Sequence, residues 1–468
     1  MRQGLIKRIS SLLMAAVIIL ASVYIPTCEA SAEVSWPSGV SVASPAAIVM
    51  EVETGVVLYS KNADEVHYPA SITKIMTALL AVENGDMSST VTFSHDAVYN
   101  TEGSGIARDE GEEMTLEECL YGMMLESANE CAYAIGEHIA GGSIDDFVDM
   151  MNAKADELGC KNTHFANSSG LPDENHYTTC YDMALIAAEA IKNEEFAKIT
   201  GTKSYSIPPT NKHEESTPLN NHHAMLNYYK TSKYLYDYCI GGKTGYTVAA
   251  QNTLVTYARK DGMTLVCVVM NTSSPEHYTD TRALFDYCFE NFAVYNVAEN
   301  MEAFGSGNEE MFGSINADMN VLSIDTDGTV VLPVGADLSE ATISVTPSED
   351  ASINKVGEID FTYGDRYVGG ANVLYNGSMS DYYALSTEQE GDPDSDASGA
   401  DSGVTYVRLN PWKILKTVVI IIVCILGILF LIANSGYIIR AFNRAFGKDR
   451  QRYKKIKRRK KRRRRRRR

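Results

Sequence analysis

From Thr417 to Ile439 the chain runs for 23 residues without a charge, long enough to cross a bilayer as a helix. Trp412 and Tyr437 stand near its two ends, where amphipathic rings prefer the membrane interface. A chain with such a run must fold everything before it as an independent body on one side of a membrane. Charge says which side. Between Arg440 and Arg468 there are 19 Lys/Arg against one acid, ending in seven consecutive arginines, which places the tail in the cytoplasm and the body outside. The tail would also grip anionic lipid, and contact with nucleic acid or an acidic partner is its competing reading.

The other end of the chain predicts the same topology. Arg2, Lys7 and Arg8 precede an apolar run from Leu12 to Ile25 and then Ala30-Ser31-Ala32, the pattern of a cleavable secretory signal over 1–32. Outside the basic tail the chain carries 23 Lys/Arg against 59 Asp/Glu. So acidic a body is a poor partner for nucleic acid. Its nine cysteines include no Cys-x-x-Cys spacing, and buried free thiols are expected rather than a disulfide framework. The nine histidines show no His-Glu-x-x-His or similar ligand spacing, so no metal and no cofactor is expected.

Between these ends the body divides in two. Residues 33–296 mix amphipathic helices with strand-like runs and predict an α/β domain. An alternating stretch from Ser44 to Ser60 turns at Thr54-Gly55 and reads as a hairpin. Residues 297–385 are short alternating segments punctuated at Asp327-Gly328, Pro347 and Gly364-Asp365, which predicts a small all-β sandwich. Residues 386–412 open with a Gly/Ser/Asp-rich stretch with six acids and no Lys or Arg up to Gly403, the composition of a disordered linker. The spanning helix is placed at 413–439 and the polybasic tail at 440–468.

Three short stretches of the first domain carry chemistry. Ser71 and Lys74 lie three apart where Pro69 and Ala70 open a run of good helix formers. That spacing lets the hydroxyl and the amine touch, and an amine desolvated and crowded by a second cation can be neutral near pH 7 and take a serine proton. Alone, the tetrad more often marks a capping serine followed by an exposed lysine. Next, Thr115 and Glu118 make a capping box for a helix ending near Leu125, and a second helix is expected from Cys131 to Ala140. Ser127 and Asn129 would occupy the short link between them. Third, Gly241 to Thr247 opens a pair of strands joined at Asp261-Gly262. Its small residues admit a substrate backbone, Lys243 offers a fixed positive charge, and Thr244 and Thr247 offer hydroxyls. The loop Phe165–Leu171 and the helix capped by Thr178-Thr179 are assigned no chemistry on composition.

Ser71-x-x-Lys74, Ser127-x-Asn129 and Lys243-Thr244-Gly245 occur in this order, and in that order the chain resembles the D-alanyl-D-alanine carboxypeptidases among the low-molecular-mass penicillin-binding proteins, peptidase family S11. Pro69–Thr77, Gly242–Thr247, Phe165–Leu171 and Thr178–Ala184 carry the resemblance, which extends over about 44–380. It implies a β-lactamase/DD-peptidase-like catalytic fold. It also implies that Ser71 attacks the carbonyl between two D-alanines of a peptidoglycan stem peptide while Lys74 takes its proton. By the same resemblance Ser127 relays a proton to the leaving D-alanine, Asn129 holds Lys74 and the substrate amide, and Lys243 and Thr244 bind the terminal carboxylate. Gly245 lies on the same strand, the main-chain N–H groups of Ser71 and Tyr246 form the oxyanion hole, and Arg282 adds to carboxylate recognition. β-Lactams would act as covalent inhibitors. The sequence departs from class A β-lactamases at Ala128, where they carry aspartate, and in having no Glu-x-x-Leu-Asn segment. A DD-endopeptidase or transpeptidase using the same acyl-enzyme, and a non-catalytic membrane-anchored sensor of β-lactam or wall fragments, remain as alternatives.

Overall fold

The computed structural model describes residues 36–305, 322–348 and 354–376. The expected signal, acidic linker, spanning helix and basic tail lie outside those residues. Among the described residues no helix is long and apolar enough to cross a membrane.

Strands β1 (Ala46–Glu51) and β2 (Val57–Lys61) form the expected hairpin. A 3₁₀ turn (Ala70–Thr73) then leads into α1 (Lys74–Asn84). A small two-stranded ribbon, β3 (Thr90–Thr92) with β4 (Glu113–Thr115), flanks the short α2 (His95–Tyr99). There follow α3 (Leu116–Leu125), α4 (Asn129–Ile139), α5 (Ile144–Glu157), α6 (Cys180–Lys192) and α7 (Glu194–Gly201). The Thr115 capping box is formed in both directions, and Ser143 and Thr179 cap α5 and α6 with their hydroxyls. A second ribbon, β5 (Ser204–Ile207) with β6 (Thr217–Asn220), precedes the long strands β7 (Cys239–Thr247), β8 (Gln251–Lys260) and β9 (Met263–Thr272). Helix α8 (Glu276–Asn291) completes the domain.

The principal sheet is antiparallel, in the order β2-β1-β9-β8-β7. Successive side chains on a strand point to opposite faces, and here both faces are covered. Ala46, Ile48, Met50, Val255, Tyr257, Val266 and Val268 pack under helices α1, α3, α4 and α6. Ala47, Val49, Leu254, Leu265, Cys267 and Val269 pack against Leu284, Phe285 and Cys288 of α8. Burial on both sides is why β8 and β9 read as nearly continuous apolar runs. The β8–β9 turn at Asp261-Gly262 has both residues at positive φ, 50° and 81°, matching the right-handed twist of the strands it joins. One edge of the sheet is β7. The seven cysteines among the described residues are all free, and Cys239 alone of them is not fully buried.

The second sheet departs from expectation in two ways. It begins at Phe292 rather than 297, because α8 runs without a turn into β10 (Phe292–Asn296), a strand-prone Phe-Ala-Val-Tyr-Asn. Past Ala298–Asn300 and the short α9 (Met301–Gly305) come β11 (Leu322–Ile324), β12 (Thr329–Pro333), β13 (Thr342–Pro347), β14 (Lys355–Tyr363) and β15 (Arg366–Tyr375). They form one six-stranded antiparallel sheet, β10-β12-β15-β14-β13 with β11 also on β15, where two facing sheets were expected. Alternation in short segments shows which face a residue takes and not which strand it pairs with. The core here gathers Val297, Phe304, Val330, Leu332, Ile359, Phe361 and Val368. Trp36 ties the two regions together, with its ring 4.9 Å from that of Phe292 and the Arg366 guanidinium 5.0 Å above it.

Candidate active site

Ser71 is delivered by an unusual entry into α1. Ala70 has φ +52°, a left-handed value for a residue with a β-carbon, and the chain then makes a 3₁₀ turn in which residues three apart eclipse one another. The turn brings Lys74, the first residue of α1, under Ser71, with Nζ 3.1 Å from Oγ. The expected helix start is therefore a 3₁₀ start, which places the pair more directly than an α-helical turn would.

Lys74 is fully buried, and all its hydrogen-bond partners are neutral: Ser71 Oγ, Asn129 Oδ1 at 2.7 Å and the main-chain carbonyl of Ser169 at 2.6 Å. Burial pushes its pKa well below the usual lysine value, the nearby Lys243 pushes the same way, and Glu130 opposes them more weakly. Lys243 is also buried, its Nζ 2.9 Å from the carbonyl of Thr244, and desolvation lowers it to about 7. Two buried amines thus influence one another beside the nucleophile candidate, and among the described residues no carboxylate is hydrogen-bonded to either.

Asn129 is the first residue of α4 and not part of an irregular link, since that helix starts two residues earlier than expected. Its Oδ1 accepts from Lys74 and its Nδ2 donates to the carbonyl of Glu102. The main-chain N–H of Asn129 donates to Ser104, and the N–H of Ile106 donates to Glu130. Segment 102–106 is in this way strapped across the start of α4. Ser127 keeps the expected link position and holds φ +65° between the two helices.

The edge strand β7 closes the site. Gly245 comes so near the 3₁₀ turn that a β-carbon there would stand 2.9 Å from the Ser71 nitrogen and 2.3 Å from Thr253 Oγ1. Thr253, opposite Gly245 on β8, donates to the carbonyl of Pro69 at 2.8 Å. Tyr246 is exposed and Thr244 half-buried.

On the far side of Ser71 lies the Phe165–Leu171 loop, to which composition gave no chemistry. Asn152 brackets Phe165 by its N–H and its carbonyl, and Asn167 Oδ1 collects the N–H groups of Ser169, Gly170 and Leu171. Thr77 donates to the carbonyl of Ser168 at 2.6 Å. His176 Nδ1 accepts from the N–H of Ala166, so its Nε2–H donates to Thr73 Oγ1 at 2.8 Å. Burial holds that ring neutral, with a pKa near about 4. These bonds hold the loop whose Ser169 carbonyl accepts from Lys74. A main-chain acceptor leaves no side-chain signature, which is why the sequence reading passed over it.

A family model described as D-alanyl-D-alanine carboxypeptidase, peptidase S11, matches residues 31–274. DacF of Bacillus subtilis, named a D-alanyl-D-alanine carboxypeptidase, is 36% identical over 296 residues, 62% of this chain and 72% of the relative. The chain belongs to the D-alanyl-D-alanine carboxypeptidase family. DacA of Escherichia coli K12, also named a D-alanyl-D-alanine carboxypeptidase, is 29% identical over 333 residues, 67% of this chain and 78% of that one. Among solved structures, the Streptomyces K15 DD-transpeptidase aligns at a TM-score of 0.50 and 29% identity, over 54% of this chain and 99% of that chain.

For a carboxypeptidase of this family one expectation fails. Arg282, on α8, donates to the carbonyls of Tyr234 and Leu235 and stacks 5.0 Å over the Tyr236 ring. Its guanidinium holds the 231–236 segment and takes no part in the Ser71 cluster. A motif-free arginine carries no positional information in a sequence, so only its contacts could place it.

Proposed function

We propose that this chain is a serine D-alanyl-D-alanine carboxypeptidase that removes the terminal D-alanine from peptidoglycan stem peptides through an acyl-enzyme on Ser71. The observation that carries this reading is the set of neighbours around Lys74 Nζ. Asn129 Oδ1 and the Ser169 carbonyl are pure acceptors and require two N–H donors. A neutral amine has two, and its remaining lone pair then faces the Ser71 hydroxyl. The depressed pKa of Lys74 is what makes that neutral form available.

In this reading the terminal carboxylate of the substrate rests on Lys243 and Thr244, and the peptide lies along β7. Lys74 takes the Ser71 proton as Oγ bonds to the scissile carbonyl carbon. The N–H groups of Ser71 and Tyr246 stabilise the oxyanion, each contributing about 3 kcal/mol. The proton passes through Ser127 to the departing D-alanine nitrogen as the C–N bond breaks. Water then adds to the ester with Lys74 again as base, and Ser71 is regenerated. β-Lactams enter the same sequence and stall as acyl-enzymes. No cofactor takes part.

The catalytic body faces the wall side of the cell membrane and the Arg-rich tail the cytoplasm. Support for this lies in the sequence alone: the Ala30-Ser31-Ala32 site, the uncharged run from Thr417 to Ile439 and the basic tail.

The experiment is release of free D-alanine from a peptide ending in D-Ala-D-Ala by the purified protein and by Ser71→Ala. Turnover by the parent with none by the variant supports the reading. A folded parent that releases no D-alanine sinks it.

A further inference from the structure

Ser127 holds φ +65° on the link between α3 and α4, and a residue with a β-carbon keeps such a conformation only where its surroundings over-determine it. Its neighbours supply the restraint. On one side the N–H of Ala128 donates to the carbonyl of Gly122. On the other, Leu125 and Glu126 are tied to the chain at the end of β6. The N–H of Asn220 donates to Glu126 Oε1 at 2.7 Å, and His222 Nε2 stands 2.8 Å from Glu126 Oε2. The N–H of His222 donates to the carbonyl of Leu125 at 3.3 Å. Both oxygens of the Glu126 carboxylate are occupied in this way.

His222 is itself held from behind. The adjacent Asn221 is buried, and its Nδ2 donates to the carbonyls of Thr200 and Thr202, which fixes the main chain there. Tyr229 stacks on the imidazole, with ring centroids 6.5 Å apart and planes 5° apart. Burial lowers the pKa of the ring, Glu126 raises it, and Lys230 and Lys243 lower it again. A neutral ring donates its Nε2–H to the carboxylate, which can only accept. The charge of Lys243 reaches the imidazole, so the pair stands beside the Ser71 cluster and not on a remote surface.

We infer that Glu126 and His222 are a positioning pair for Ser127: their hydrogen bond fastens the α3–α4 link to the chain after β6 and aims the serine hydroxyl at the nitrogen of the departing D-alanine. The inference rests on the carboxypeptidase reading, in which Ser127 hands a proton to that nitrogen as the C–N bond breaks. Aim matters for this step because an amine leaves only as the proton reaches it. A thiolate leaves without one.

The test therefore compares two substrates that differ only at the leaving atom, a diacetyl-L-Lys-D-Ala-D-Ala peptide and the thioester in which sulfur replaces the scissile nitrogen. The quantity read is kcat/KM, which reports acylation. In Glu126→Ala and in His222→Ala the peptide value should fall about 10- to 30-fold, less than the loss from a 1 Å misplacement, while the thioester value stays within about threefold of the parent. The thioester rate is also the check that the fold and the Ser71–Lys74 pair are intact. His222→Gln, whose amide can still donate to Glu126, should keep the parental peptide-to-thioester ratio within about threefold. A ratio unchanged in either alanine variant, whether both rates fall together or neither falls, overturns the inference and leaves the carboxypeptidase reading standing. A glutamine variant whose ratio falls as far as that of the alanine variant overturns it too. Failure of the parent to release D-alanine from the peptide overturns that reading and this inference with it.

Discussion

Gly170 lies against the main chain of Ala70: a β-carbon at position 170 would stand 1.9 Å from the Ala70 carbonyl oxygen and 3.0 Å from the Ser71 nitrogen. Gly170 also has φ +87°, a conformation that side chains with a β-carbon rarely adopt. The 165–171 loop and the 3₁₀ turn that presents Ser71 are thus set at a separation that only a hydrogen side chain allows.

Gly170→Ala should therefore disturb the nucleophile before it disturbs the fold. Either the turn or the loop must give way, and each carries a partner of Lys74. We expect a loss of at least about 100-fold in the rate of acylation by a β-lactam, consistent with misplacement by about 1 Å, and destabilisation of about 2–4 kcal/mol. Stopped-flow acylation and urea melts measure the two separately, and a variant acylated at the parental rate would show that the close approach is dispensable.

Lys74→Met removes the lone pair and keeps the volume and most of the apolar stem. Loss of a general base lowers rates by roughly 10² to 10⁴, and that loss should appear in acylation. Unchanged acylation would move the role of base to another group.

The pH profile follows from the second lysine. Lys243, lowered to about 7 by burial, loses its charge above that pH and with it the attraction for a substrate carboxylate. kcat/KM should fall above about pH 7. A bound carboxylate favours the charged lysine, so the corresponding limb in kcat should lie at higher pH. Lys243→Arg, permanently charged, should lack the limb. The same limb in the arginine variant would assign it elsewhere.

The sign for stability is the reverse of that for a salt-bridged lysine. The folded pKa of Lys243 is below the unfolded value of 10.5, so between about pH 7 and 10.5 the unfolded chain binds the extra proton and folding strengthens as pH rises. Lys243→Met escapes this penalty. Its stability advantage over the parent should be greater at pH 7 than at pH 9.5 by about 3 kcal/mol. Urea melts at the two pH values test it, and an advantage independent of pH would mean that the amine keeps its proton when buried.

Sequence made the site legible where a side chain does the work. Ser71, Lys74, Asn129 and Lys243 carry their chemistry in their side chains, and the structure gathers them around one another. The Ser169 carbonyl and the segment 102–106 act through the main chain, and any residue can supply a carbonyl. Gly245 was read as a small residue admitting a substrate, and it also fits the sheet edge against Ser71. Arg282 shows the opposite failure, a charged side chain with an attractive chemistry spent on two main-chain carbonyls. In the fold, cap residues announced the helices because capping is local, as at Thr115 and Thr179. Strand pairing in the second sheet is not local, and alternation alone led to two facing sheets where β10 to β15 pair as one.

Strand β10 leaves α8 without a turn and pairs with β12 across five residues, Phe292 to Asn296 against Pro333 to Thr329. A chain cut after Val297 would keep β10 and lose β12, leaving a bare row of amide and carbonyl groups beside Phe292, Val294 and Tyr295. Such an edge is a template for pairing with a second molecule. A soluble catalytic fragment is best ended inside α8, ahead of Phe292, or else carried on through Tyr375, because the intuitive boundary between the two halves would manufacture a sticky protein.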